Sequence, residues 1–345
     1  MIVLDGSEGE GGGQVLRSAL SLSIITGQPF RLEKVRAKRR PPGLKAQHLT
    51  CVEGAARLCD ADVEGASLGS HAVTFHPKAA KSGAFAFHVG TAGSINLLLH
   101  CLAYPLALAG GGALTLTGGS HVIASPSFDY LARVWAPLAR RWGFEVRLKL
   151  EAAGFFPEGG GRLWAQVQPA GRGEGFSLEA RPPVDRLVVR SIVGGLALDV
   201  AHRQADTARR ALSDLGLPVE TDVESVPVAH SRGTAVLVTA ESKGQALAGF
   251  SALGERRVPA EDVGRSAARD ARAWLRGDGA LDEHAGDQVL LPMGLAAAGL
   301  LGPARAAHFR AHAVTDHLTT HARVLEAFLP IRVSIEGARV EVAPR

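Results

Sequence analysis

The sequence predicts an α/β (α+β) protein in which repeated helix-on-sheet units form a large domain that carries a smaller inserted α/β domain. Three observations predict it. One order of elements, an amphipathic helix, a turn, a strand, a second turn and another strand, recurs over residues 48–75, 130–167, 205–238 and 321–342, and such internal repetition implies modules built alike. Within the copies, helical apolar residues fall three and four apart (Leu131, Val134, Trp135, Leu138) and strand residues alternate (Leu163, Ala165, Val167), so one face of each helix packs on a sheet. Finally, Arg181-Pro182-Pro183 and Gly277-Asp278-Gly279 bracket a stretch with its own strand–helix–strand pattern. The expected division is a discontinuous domain of residues 1–181 and 279–345 around an inserted domain of residues 182–278.

Composition narrows the class. With 345 residues, 46% hydrophobic and 21% charged, the chain has the balance of a soluble protein with a sizeable core. The start lacks the basic, long-apolar and small-residue pattern of a signal peptide. The apolar run at residues 97–108 is interrupted by His100, Tyr104 and Pro105 and is too short to span a bilayer. A cytoplasmic protein with no membrane partner is expected. Cys51, Cys59 and Cys101 have no CxxC spacing, which suggests reduced, partly buried thiols rather than a disulfide framework or cysteine zinc site. The net charge of +4 favours a nucleic-acid partner only weakly.

From the N-terminus, a strand at residues 2–4 precedes Asp5-Gly-Ser-Glu-Gly-Glu-Gly-Gly-Gly-Gln14 and a helix opening near Val15. Glycines at a helix N-terminus let backbone amides approach an anion. The segment is neither a Walker A loop, lacking the Lys-Ser/Thr ending, nor a dinucleotide fingerprint. Its two acids, Glu8 and Glu10, suit an ion that bridges phosphates, or a turn whose acids favour the helix dipole. Arg17 lies in the first turns of the helix. Residues 31–45 then hold Arg31, Lys34, Arg36, Lys38, Arg39, Arg40 and Lys45 against Glu33 alone, an anion-binding surface or a solvated loop. Paired prolines at 41 and 42 stiffen it, and Arg36, Arg39 and Gln47 become candidates for a terminal phosphate and its ribose.

Two further glycine loops follow, at residues 90–94 and 153–161. Either alone reads as a hairpin or bulge; three such loops in one chain favour a nucleotide or polyphosphate ligand. Near the C-terminus stand His308, His312, His317 and His321. The Thr315-Asp316 step argues against one continuous helix, and HExxH is absent, so zinc binding is the lesser reading. A histidine flanked by Asp316 and Thr320 can instead be a nucleophile once its second ring nitrogen is held; the pattern leaves open which histidine.

Taken together, the segments at 5–19, 35–49, 154–161, Asp287-Gln-Val-Leu-Leu-Pro-Met293 and His317-Leu-Thr-Thr-His321 resemble, in order and spacing, the RNA 3′-terminal phosphate cyclases. The resemblance covers the whole chain. It implies an enzyme that uses ATP, with Mg²⁺ or Mn²⁺, to close RNA 3′-phosphate ends into 2′,3′-cyclic phosphates. By motif position, His317 corresponds to the histidine that becomes covalently adenylated, and Glu10 to a metal-binding carboxylate. His100, Pro126, His284, Ala285, Gly286, Asp287 and Gln288 correspond to the ATP site, and Arg17, Arg36, Arg39 and Gln47 to the RNA phosphate site. A homodimer is compatible with the resemblance. His284, His100 and Ala153 depart from its pattern, standing where tyrosine, glutamine, and arginine or histidine are usual. Rival readings are an inert cyclase-like RNA-binding or ribosome-assembly factor, an enolpyruvyl transferase, and a histidine-cluster metalloenzyme.

Overall fold

The computed structural model describes residues 1–9 and 12–345. In the first unit, β1 (Ile2–Asp5), α1 (Gln14–Thr26), β2 (Phe30–Glu33), α2 (Ala46–Cys59), β3 (Asp62–Glu64) and β4 (Val73–His76) build a sheet of order β1-β2-β4-β3. The β1–β2 pair is parallel, joined by the crossover helix that parallel pairing requires, and the other pairs are antiparallel. The second unit repeats this topology. It runs through β5 (Gly83–His88), α3 (Ile95–Leu108), β6 (Gly112–Gly118), α4 (Phe128–Tyr130), α5 (Ala136–Arg141), β7 (Val146–Ala152) and β8 (Gly161–Val167), in sheet order β5-β6-β8-β7.

Leu131, Val134, Trp135 and Leu138 are buried as their spacing requires. Residues Leu131–Trp135 nevertheless form a π-helical turn between α4 and α5. Pro137, at the start of α5, cannot donate to the ladder, and a slipped register just before it accommodates the missing bond.

The middle of the chain supplies β9 (Arg186–Gly194), α6 (Leu198–Leu212), β10 (Val219–Ser225), β11 (Gly233–Ser242), β12 (Gln245–Leu253) and α7 (Ala260–Arg276). Its sheet order is β10-β9-β11-β12, and its apolar cluster gathers around Leu187, Val189, Val236 and Trp274. Here the expected repeat over 205–238 is only partly the same: β10 and β11 both follow the helix, but β9 lies between them. The reason is that α6 is the crossover of a parallel β9–β10 pair, like α1 rather than α2.

The chain then returns through α8 (Glu283–Ala297), β13 (Ala307–Arg310), α9 (Asp316–Phe328), β14 (Ile331–Glu336) and β15 (Arg339–Pro344), with sheet order β13-β15-β14. A parallel bridge from Leu281 to Ala311 stands where the other units have a full first strand. Helix α1 touches α2, α3 and α9, so helices from all three units meet in one core that includes Leu16, Leu20, Leu98, Leu290 and Leu325. That convergence places the N-terminal glycine segment beside α9. Among the described residues, no helix is long and apolar enough to cross a membrane.

Candidate active site

Helix α9 starts at Thr315, whose hydroxyl accepts the Leu318 amide at 3.1 Å, an N-cap that ends the preceding strand region cleanly. His308 consequently sits in β13 and His312 in the connection, while His317 and His321 lie one turn apart on α9. His308 faces Glu179 at 3.2 Å. The four histidines do not form one cluster, and among the described residues no group of three or more His, Cys, Asp or Glu could hold a metal.

Gly9, with φ 56°, approaches α9 so closely that a Cβ would lie 2.1 Å from Thr320 Oγ1. Only glycine meets both the positive φ and that contact. From there the chain reaches Gln14 at the start of α1, whose first turn has no side-chain cap among the described residues. Gln14 Oε1 lies 2.5 Å from His317 Nδ1, and Gln14 Nε2 donates to Asp287 Oδ1 at 2.6 Å. Asp287 also accepts from His321 Nδ1 at 2.9 Å. Burial pushes the Asp287 carboxyl upward, but the imidazoles of His321 and His317 and the Gln14 amide, the His321 hydrogen bond first among them, hold the group below its ordinary value.

The acceptor character of Asp287 orients the Gln14 amide: its NH₂ must face the carboxylate, so its oxygen faces His317. In the neutral imidazole the proton therefore belongs on His317 Nδ1, which makes Nε2 the basic ring nitrogen. Gln14 was present in the glycine segment but not singled out as a site residue, because the pairing that gives it a role spans 303 positions.

These groups border a cavity of about 910 Å³ also lined by Arg17, His100, Pro126, His284 and Gln288. Arg17 is partly buried, which lowers its pKa without bringing a guanidinium near neutrality. His100 packs on Trp135 with ring centroids 4.6 Å apart, and burial, then Arg17, press its pKa down to about 3. His100 Nε2, Gln288 Oε1 and His321 Nε2 are buried and lack hydrogen-bond partners among the described residues. Unpaired polar atoms at such a site are available to a ligand.

Ala285 and Gly286 share the start of α8 but lie buried; a Cβ on Gly286 would touch the Phe309 ring. The α8 N-cap, Asp282, accepts the His284 and Ala285 amides at 2.9 Å, Tyr130 Oη at 2.9 Å and the Gly249 amide of β12 at 3.0 Å. It thus ties the middle sheet to the cavity wall. Burial raises its pKa.

Of the residues expected at the RNA phosphate, Arg17 alone lines this cavity. Arg36 is buried and donates to the Pro41 and Gly43 carbonyls at 2.9 Å each, where it braces the loop. Arg39 is exposed. Gln47 Oε1 accepts the Ser94 amide at 3.1 Å, which joins α2 to the second glycine loop. The basic stretch folds back on the first glycine loop: Lys34 pairs with Asp5 at 2.6 Å, and Lys38 donates to the Gly9 carbonyl at 2.8 Å. The Lys34 hydrogen bond, then Ser7, holds Asp5 at about 2. His48, also not anticipated, is buried beside Arg17 and Arg36, with its pKa lowered to about 3, chiefly by burial. The expectation for Glu10 lies outside the described residues.

The family model described as RNA 3′-terminal phosphate cyclase matches residues 8–335. The chain belongs to that family. Relatives named RNA 3′-terminal phosphate cyclase include one from Pyrobaculum neutrophilum, 42% identical over 97% of this chain and 95% of the relative. Another, from Ralstonia nicotianae, is 40% identical over 98% of this chain and 94% of the relative. A third, from Koribacter versatilis, is 37% identical over all of this chain and 96% of the relative. Membership of the cyclase family makes the chain an enzyme, and its fold is of the mixed helix-on-sheet class that the repeats predict.

Proposed function

We propose that this protein converts RNA 3′-terminal phosphates to 2′,3′-cyclic phosphates at the expense of ATP, through a covalent adenylate on His317. The observation that carries the reading is the Asp287–Gln14–His317 chain, which turns the Nδ1 side of His317 to Gln14 in the wall of a cavity large enough for a nucleotide.

In the first step Nε2 attacks the α-phosphorus of ATP, an N–P bond forms, and pyrophosphate leaves. Gln14 retains the Nδ1 proton and stabilises the positive imidazole that develops. His100, Pro126, His284 and Gln288 bind the nucleoside, with the backbone of Ala285 and Gly286 forming the floor at the start of α8. An oxygen of the RNA 3′-phosphate then displaces His317 from the adenylate, giving a phosphoanhydride. The ribose O2′ attacks the RNA phosphorus, loses its proton, and expels AMP. Adenylation is needed because a phosphate monoester dianion has a poor leaving group, and ribose proximity makes ring closure rapid.

Arg17 would offset the repulsion between approaching anions, with Arg39 and Gln47 at the entrance and Arg36 bracing the loop that presents them. A magnesium or manganese ion would neutralise phosphate charge when bound. The described carboxylates suit an ion held mainly by phosphates and water, since Asp287 is committed to Gln14 and His321 and Glu8 to Arg323; Glu10 is the proposed protein ligand. We further assign residues 182–278 as the inserted domain that closes one wall of the cavity.

Incubation with α-labelled ATP and a divalent ion tests this reading. Acid-labile, alkali-stable label on the wild type and none on His317→Ala supports it. Bound ATP without label on either protein would instead favour an inert RNA-binding relative.

A further inference from the structure

Among the large apolar side chains that stand exposed in the described residues, Phe156 is the most so, at 70%, and Ile123, at 66%, is also among the most exposed. Phe156 belongs to the third glycine loop, which the proposed chemistry does not use. The loop is held firmly. Phe155, the preceding residue, is buried, stacks on His121 with ring centroids 5.2 Å apart, and donates its amide to Ser231 Oγ at 3.0 Å. Its carbonyl accepts the Gly159 amide at 2.7 Å. One aromatic ring therefore anchors the loop and the next is presented to water, an arrangement that core packing does not require.

The surroundings suggest an occupant. A parallel bridge between His121 and Phe155 runs the Phe156 segment alongside Val122 and Ile123, both of which line the proposed nucleotide cavity. On the other side Gly159 packs so tightly on the Thr91–Ala92 backbone that a Cβ would lie 2.8 Å from Ala92 Cα. That second loop is the one joined to Gln47 through the Ser94 amide. Phe156 thus stands at the lip of the site, between the cavity rim and the residues assigned to the RNA end. Glu158 is the nearest acid in the loop and is exposed, which disfavours a phosphate beside the ring but not an uncharged base.

We propose that Phe156 is a stacking platform for a nucleobase at or next to the 3′ end of the RNA substrate. The inference rests on the cyclase reading above and deepens it, since it names single-stranded RNA as the form bound. A duplex end offers its bases stacked, whereas recognition through an aromatic face needs a base splayed from its neighbours, and such stacking tolerates every base. The contact would set substrate affinity without sequence preference.

The test compares wild type, Phe156→Ala and Phe156→Trp with RNA 3′-phosphate oligonucleotides carrying 2-aminopurine at the last or penultimate position. Thermal unfolding of each protein controls for folding. The expected result is fluorescence quenching on binding to wild type and Phe156→Trp, and a rise in KM for RNA of about tenfold in Phe156→Ala, the size of one base–aromatic stack, with the loss in KM rather than kcat. Wild type that cyclises RNA while Phe156→Ala keeps the same KM and quenching overturns the platform and leaves the cyclase reading standing. Wild type that fails to cyclise overturns the reading on which it rests. A change of solution mass in Phe156→Ala with unaltered RNA affinity would assign the ring to a protein contact and also overturn the proposal.

Discussion

His317 Nδ1 and Gln14 Oε1 lie 2.5 Å apart, although the two residues are 303 positions apart in the chain. Because Gln14 is itself oriented by Asp287, the contact selects the tautomer of the proposed nucleophile. Gln14→Leu removes the acceptor and lets the ring turn. Self-adenylation in single-turnover experiments is expected to slow on the order of a hundredfold, the cost of a small misplacement at the reacting centre, while ATP binding by calorimetry changes little.

Gly9→Ala tests the closeness of the loop to α9. A methyl at that position meets Thr320 Oγ1 and must also adopt φ 56°. The substitution is expected to cost about 1–2 kcal/mol in urea unfolding and to depress adenylation more than global stability, because the displaced loop leads into Gln14. Thr320→Ala in the same chain should recover part of the activity; no recovery would place the defect in the backbone strain alone.

A partly buried charge cluster joins the middle sheet to the second unit. Arg190 donates to Asp129 and to Glu224 at 2.5 Å and to Asp222 at 2.8 Å, and Asp129 also meets His121 at 2.9 Å. Arg190→Met leaves Asp129 buried beside an apolar stem. A loss of about 3 kcal/mol is expected, typical of breaking one half of a buried pair. Unfolding followed separately by Trp274 and Trp142 fluorescence, in single-tryptophan variants, should show the two transitions drawing apart; coincident, unshifted transitions would contradict the role given to the cluster.

Acid should weaken the fold in two stages. His48 and His100 are each held near pKa 3, mainly by burial, against an ordinary value near 6.5. Between those values the unfolded chain binds protons that the folded chain refuses, so stability falls as pH drops through that window, by up to about 1.4 kcal/mol per pH unit for each histidine. Asp129 acts lower. Burial opposes its ionisation, but His121 and Arg190 hold it at about 2. Its contribution, on the order of 2 kcal/mol, is complete above the ordinary carboxylate value and is lost as pH falls toward 2. Urea unfolding at pH 7.5, 6, 5 and 4 checks the first stage: His100→Phe should flatten the slope, and an unchanged slope would show that His100 does not carry it.

Much of the fold was legible in the residues. The apolar spacing of Leu131, Val134, Trp135 and Leu138 marked a buried helical face, and glycine density marked the loop between β1 and α1. Helix and strand order depends on neighbours a few positions apart, which a periodic pattern records directly. The π-turn at Leu131–Trp135 was not legible, since an apolar stripe survives a slip of one hydrogen bond. Nor was the separation of β10 from β11 by β9, because strand order is decided by which edges meet in space.

The site divides along the same line. Sequence by itself determined a glycine loop before a helix, a basic segment, and histidines on either side of a break at Thr315-Asp316; family resemblance chose His317 among them. Tertiary structure decided that Gln14 and Asp287 hold that histidine, that Arg36 spends its donors on its own loop, and that Ala285 and Gly286 turn inward. These outcomes depend on contacts between units far apart in the chain. A residue's type sets what bonds it can make, and only packing decides which of them it does make.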